Sequence, residues 1–135
     1  MARLKHIAIA TQDPDKTAAF YRDVFDLQEV SKITSPLAEG YYLSDGHINI
    51  AVLRFKSDEA ADVPEGAAFV GLHHFGFQVD DLAETLRRLE KAGAQRRQTL
   101  HQDAAAATPR NVEIKFKGPD GVIFDVSASG WVGTD

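Results

Sequence analysis

Residues 72–79 read LHHFGFQV and residues 4–11 read LKHIAIAT; laid over one another they put His74 on His6 and His73 on Lys5. Both stretches alternate in apolar character, the mark of a half-buried strand whose successive side chains face opposite sides of a sheet. On that alternation His73 shares a face with Phe75, Phe77 and Val79, while His74 lies with Gly76 and Gln78. In the first half, Ile7 and Ile9 share one face and His6, Ala8 and Ala10 the other. The pattern thus selects His74 over its neighbour. His73 is expected at the surface or a strand edge, with a supporting place behind the site as the minor alternative.

The order of elements after each of these strands also repeats. Beyond the first, Asp13 can cap and Pro14 suits a first helical turn, and Phe20/Val24 and Tyr21/Phe25 pair at i,i+4, predicting a helix from Pro14 to Phe25. Strands are expected over Leu27–Ile33, Gly40–Ser44 and His47–Phe55, with a tight turn at Asp45-Gly46. Beyond the second, Asp80 or Asp81 caps a helix carrying Leu82, Leu86 and Leu89 and ending near Gly93. Strands then fall over Gln95–Leu100, Val112–Lys117 and Val122–Ser127, with Pro119-Asp120-Gly121 as a turn and Ala104–Ala107 as a loop. Each half is strand, helix, three strands: an α+β protein of two βαβββ modules, residues 3–55 and 71–130, joined by a polar linker over 56–70.

The closing strands split the same way. Ile48, Ile50 and Val52 face the helices in the first module, leaving His47, Asn49 and Ala51 opposite; Val122, Phe124 and Val126 do so in the second, leaving Asp125 and Ser127. One face of the sheet is therefore expected to carry His6, His74, Asp125 and either His47 or Asn49. Glu113, Lys115 and Lys117 alternate with Ile114 and Phe116 on a further strand.

At 135 residues, 44% hydrophobic and 26% charged, the chain has the make-up of one ordinary domain. Its formal net charge of −5 gives no electrostatic reason for a nucleic-acid or anionic-membrane partner. No apolar run approaches the ~18 residues of a membrane span, and the N-terminus enters a strand pattern at once, so a cytoplasmic location is the expectation. The chain has no cysteine, which excludes a disulfide framework, a thiolate nucleophile and a Cys-type zinc site. Any metal must be held by nitrogen and oxygen.

The stretches HIAIAT, AAFYRDVFDL, GLHHFGFQVDDL, LRRLEKAGA and GPDGVIFDVS, in that order, resemble the vicinal oxygen chelate superfamily, which includes glyoxalase I, methylmalonyl-CoA epimerase, extradiol dioxygenases and bleomycin-resistance proteins. The resemblance covers nearly the whole chain. It implies curled sheets around a central cleft, a homodimer, and one metal ligand from the first and last strand of each module. Carried over, those ligands are His6, His74 and Asp125, the last shorter than the commoner glutamate. In the first module, counting from the Asp-Gly turns sets Asp125 over Ile50, and a one-residue gap is needed to bring Asn49 into register as a carbonyl-oxygen ligand; His47 is the fallback.

Such a set suits a divalent ion of Fe, Mn, Co, Ni or Zn with positions open to substrate. The implied activity is that of a glyoxalase-like lyase or isomerase working on a small vicinal-oxygen substrate through a metal-bound enediolate. The alternatives are an Fe(II) extradiol-type dioxygenase and a metal-free small-molecule binding or resistance protein. Glu113, Lys115 and His47 are the candidate acid–base groups by face. Tyr42, Arg110 and Trp131 are candidate substrate contacts.

Overall fold

The computed structural model describes residues 1–97 and 113–135. The first half runs β1 (Arg3–Ala10), α1 (Pro14–Phe25), β2 (Gln28–Thr34), β3 (Ala38–Ser44) and β4 (Asn49–Phe55). The stretch read as a linker holds a one-turn helix, α2 (Asp58–Ala61), and a 3-10 turn at Gly66–Ala68. The second half runs β5 (Gly71–Gln78), α3 (Leu82–Lys91), β6 (Gln95–Arg97), β7 (Ile114–Lys117) and β8 (Ile123–Ser127). The strands make one mixed sheet in the order β2-β3-β4-β1-β5-β8-β7-β6. β1 pairs parallel to β4 and β5 parallel to β8, and the halves meet where β1 pairs antiparallel to β5. This is the α+β fold of two βαβββ modules, made as one curled sheet.

Local chemistry accounts for the helices. The Asp13 carboxylate accepts the Lys16 N–H at the start of α1, where Pro14 occupies the first turn, and Asp26 closes it in a left-handed conformation. Asp81, not Asp80, caps α3 by accepting the Glu84 N–H. The two sides of the sheet separate as the alternation predicts. Leu43 and Val52 pack with Ala18 and Tyr21 of α1, while Ala8, Tyr42, Ala51, Leu53 and Phe55 face the other way and are covered by Ala61, Val63 and Phe69. No helix among the described residues is long and apolar enough to cross a membrane.

Two departures from simple alternation matter. Between β1 and β5 the register steps from Leu4↔Phe77 to His6↔Gly76, and from Ala8↔His74 to Ile9↔Leu72. Lys5 is the extra residue in one step and His73 in the other, and these are the two positions that the internal repeat superposes. Each module therefore carries a β-bulge immediately before its histidine, and a bulge re-aims the side chains around it. The surface position expected for His73 is corrected: it is buried. His47 is corrected as well. β4 begins at Asn49, and His47 lies in the exposed turn before it.

Candidate metal centre

His6 and His74 come together from β1 and β5, and Asp125 reaches them from β8; all three side chains are buried. The Nε2 atoms of His6 and His74 are 3.2 Å apart. Asp125 Oδ2 lies 3.1 Å from His74 Nε2 and 3.9 Å from His6 Nε2. Among the described residues, these three form a group of possible ligand atoms all within 4.8 Å of one another.

The outer nitrogens fix which atoms face inward. On one side the Asn49 amide donates to the Val132 carbonyl at 3.0 Å, so its Oδ1 accepts from His6 Nδ1–H at 2.7 Å. On the other, His73 Nε2–H donates to the Ala61 carbonyl at 2.7 Å. His73 Nδ1 is then an acceptor and takes the His74 Nδ1–H, also at 2.7 Å. Burial, with the Lys115 ammonium adding to it, pushes His74 down to about 3, and burial pushes His73 down to about 4, so both are neutral near pH 7. Two imidazole lone pairs and a carboxylate oxygen thus converge.

Asp125 Oδ2 has no hydrogen-bond partner. Three buried acceptors at such distances repel one another unless they share a proton or a metal cation. For bonds of about 2.1 Å, neighbouring ligands of a tetrahedral ion sit roughly 3.4 Å apart, which the three observed separations bracket. Donor types, spacing and the orphaned oxygen all fit a divalent metal ion.

Charge around the centre is strongly arranged. Lys115 Nζ donates to Asp125 Oδ1 at 2.7 Å. Burial by itself would raise the Asp125 carboxyl, but the Lys115 ammonium and the neighbouring imidazoles outweigh it and hold it well below the usual carboxylate range. Glu113 goes the other way. Burial first and the Asp125 charge second push it up to about 8, against the opposing pull of Lys115. Its Oε2 accepts the Trp131 indole N–H at 2.6 Å, and the indole lies stacked on the His6 ring, centroids 4.9 Å apart. Lys115 also lines a cavity of about 720 Å³ bordered by Asp62, Val63, Arg96, Arg97 and Lys117.

Sequence reasoning brings His6, His74 and Asp125 to one point and puts Glu113 and Lys115 beside them. Asn49 takes another place: its oxygen sits behind the His6 ring, bonded to Nδ1 and not facing the converging atoms. Strand register explains why. Ala8 pairs with Ala51 as Gly76 pairs with Asp125, so the first-module counterpart of Asp125 is Ala51, which has no donor atom. His47 bonds Asp135 in the exposed turn, away from the centre. Tyr42 is packed in the apolar core, and Trp131 is wholly buried against His6. Arg110 lies outside the described residues. His73, expected at the surface with a supporting place as the minor alternative, is buried with its Nδ1 against His74 Nδ1; the signal was the doubled histidine itself, one position longer than strict alternation accommodates.

Fold and site together define a two-module βαβββ scaffold with a buried His-His-Asp cluster where its halves meet. Residues 3–126 match the model of the glyoxalase/bleomycin resistance protein/dioxygenase superfamily, and the chain belongs to that superfamily. Among solved structures it is similar to a hypothetical protein of Bacillus halodurans C-125, at 18% identity and a TM-score of 0.68 over 93% of this chain and 92% of that one. It is also similar to a variant methylmalonyl-CoA epimerase of Streptomyces coelicolor in complex with 2-nitronate-propionyl-CoA, at 18% identity, TM-score 0.69, covering 92% and 94%. The methylmalonyl-CoA epimerase of Mycobacterium tuberculosis is similar at 19% identity, TM-score 0.67, covering 91% and 85%. At these identities the likeness is one of fold. Among curated protein sequences, none matches the chain.

Proposed function

We propose that this chain is a divalent-metal-dependent isomerase or lyase of the glyoxalase-like class, acting on a small molecule with two neighbouring oxygens. The observation that carries the reading is the convergence of His6 Nε2, His74 Nε2 and Asp125 Oδ2, three buried atoms at ligand spacing, with the outer nitrogen of each imidazole bonded elsewhere. When bound there, a divalent ion supplies Lewis-acid polarisation of substrate oxygens. The chain's own residues do the rest. Asn49 and His73 hold the imidazoles with their lone pairs inward. Lys115 joins Asp125 to the neighbouring cavity and presents a positive charge to an anionic substrate oxygen. Glu113 retains a proton near neutral pH on a carboxyl beside Asp125, where it can exchange that proton with a reacting group. The fold likeness to epimerases supports the isomerase side of the reading.

One observation favours a second reading. With Ala51 in place of a fourth donor, the set is two histidines and one carboxylate, the combination used with open positions by non-heme Fe(II) oxygenases. An extradiol-type dioxygenase would require Fe(II) and consume oxygen with a catechol.

Elemental analysis of protein reconstituted with Zn, Mn, Co, Ni or Fe(II) should give about one ion per chain. His74→Ala should lose it. The loaded protein should then exchange the hydrogen on the carbon next to a carbonyl for solvent deuterium in 2-oxo acids, hydroxy-ketones or acyl thioesters. Oxygen uptake with catechols in place of that exchange would select the dioxygenase. A wild-type protein that binds none of these ions leaves the metal-free binding reading in possession.

A further inference from the structure

The linker between the modules reaches into the metal centre through His73. Ala61 is the last residue of α2, and the terminal carbonyls of a helix lack donors within it. The Asp62 N–H turns back to the Asp58 carbonyl, and the Ala61 carbonyl accepts from His73 Nε2–H. The His73 ring is held by Phe55 at 4.5 Å and Phe69 at 5.8 Å between centroids. Its Nδ1 is thereby aimed at His74 Nδ1, 2.7 Å away. Only the bulge permits this, because in unbroken alternation the two histidines would face opposite sides of the sheet.

We propose that His73 is a positioning residue: the relay Ala61 carbonyl, His73, His74 keeps the His74 proton on Nδ1 and so keeps Nε2 free as a ligand. Which ring nitrogen of a histidine binds metal is set by the hydrogen bond the other one makes. Without the acceptor at His73 Nδ1, His74 can carry its proton on Nε2, the atom that faces His6 and Asp125. The linker is then part of the ligand set's support and not a passive tether. This inference rests on the reading of His74 as a ligand, but the tautomer exists without any ion.

The first test is imidazole nitrogen NMR on isotopically labelled, chelator-treated wild-type protein. His74 should carry its proton on Nδ1 and His73 on Nε2; a proton on His74 Nε2 overturns the proposal. The second is Zn(II) affinity by competition with a chromophoric chelator. His73→Phe keeps a ring between Phe55 and Phe69 but has no acceptor, and should lose about 10- to 100-fold in affinity. His73→Asn places an amide oxygen near the Nδ1 position and should recover most of that loss. Equal affinity of wild type and His73→Phe, or equal weakness of the two variants, would assign His73 to packing alone. If His73→Phe does not fold by circular dichroism, the wild-type tautomer and His73→Asn decide. Failure of wild type to bind Zn(II), Mn(II), Co(II), Ni(II) or Fe(II) would instead sink the proposed function, and the tautomer would still be read.

Discussion

Lys115 is the residue on which the metal reading presses hardest. Its ammonium neutralises Asp125 from the Oδ1 side and would repel an incoming dication, so the ion pair and the metal compete for one carboxylate. Both charges are buried, and removing one partner of such a pair typically costs about 3–5 kcal/mol because the other is left uncompensated. Lys115→Met should therefore destabilise the chelator-treated protein by about that amount in urea unfolding. A dication at about a thousand times its Kd returns about 4 kcal/mol, enough to restore most of the loss. Lys115→Met should also bind Zn(II) more tightly than wild type. If the variant stays unstable in excess Zn(II), the ion is not reaching Asp125. At this scale much of the centre was legible: a histidine at matching places in two halves, with a carboxylate on the same face, requires only alternation and a repeat. Asn49 was not, because its place depends on how β1 and β4 are offset. That offset is set by the longer turn before β4, and counting from the Asp-Gly turns misjudged it.

At the scale of elements, alternation predicted the strands and faces of the described residues. Capping residues predicted the starts of α1 and, to within one residue, α3, while the one-turn α2 lies in the stretch read as linker. Alternation failed where the backbone inserts a residue. A bulge has no composition of its own: Lys5 and His73 share no chemistry, yet both occupy the extra position in front of a site histidine. The doubled histidine was a true anomaly in the period and was resolved by choosing between neighbours, when the strand accommodates both. Farther along β5, Gly76 is another requirement of the site. A Cβ there would stand 2.8 Å from the Trp131 indole and 3.0 Å from His6 Cβ. Its absence lets the indole lie flat on the His6 ring. Gly76→Ala should cost about 1–3 kcal/mol by overpacking, and should move either the indole or His6. Trp131 is the chain's one tryptophan, so the emission spectrum reports this stack without interference. A red-shifted emission and weakened Zn(II) binding are expected in Gly76→Ala. An unchanged spectrum and unchanged affinity would mean that the stack does not support His6.

For the whole molecule, the buried titrating groups make stability depend on pH from both directions. His73 and His74 fall from an ordinary 6.5 to about 4 and about 3, so the unfolded chain binds their protons more readily than the native one. The stability of the neutral native rings is present above pH 6.5 and is lost as pH falls from there toward 4 and 3. Asp125, held below its ordinary 3.8, adds a further loss under strongly acid conditions. Glu113 acts oppositely. Its folded value of about 8 lies above an ordinary 4.5, so the native state holds a proton that the unfolded state has given up. Its contribution is complete below pH 4.5 and is lost as pH rises to 8. Between 4.5 and 6.5 the two histidines outweigh the single glutamate, and above 6.5 only the glutamate remains of these groups. The metal-free protein should therefore be most stable near pH 6.5, and from there to pH 8 should lose no more than about 1.4 kcal/mol per pH unit, the limit for one proton. Urea midpoints at half-unit steps, in the presence of chelator, would trace this curve. Glu113→Gln keeps an acceptor for the Trp131 N–H and cannot ionise, so it should flatten the limb above pH 6.5 and steepen the limb between 4.5 and 6.5, where the glutamate no longer opposes the two histidines. If the alkaline loss persists in Glu113→Gln, Glu113 is not the group that holds the proton, and its assignment as the proton carrier beside Asp125 fails with it.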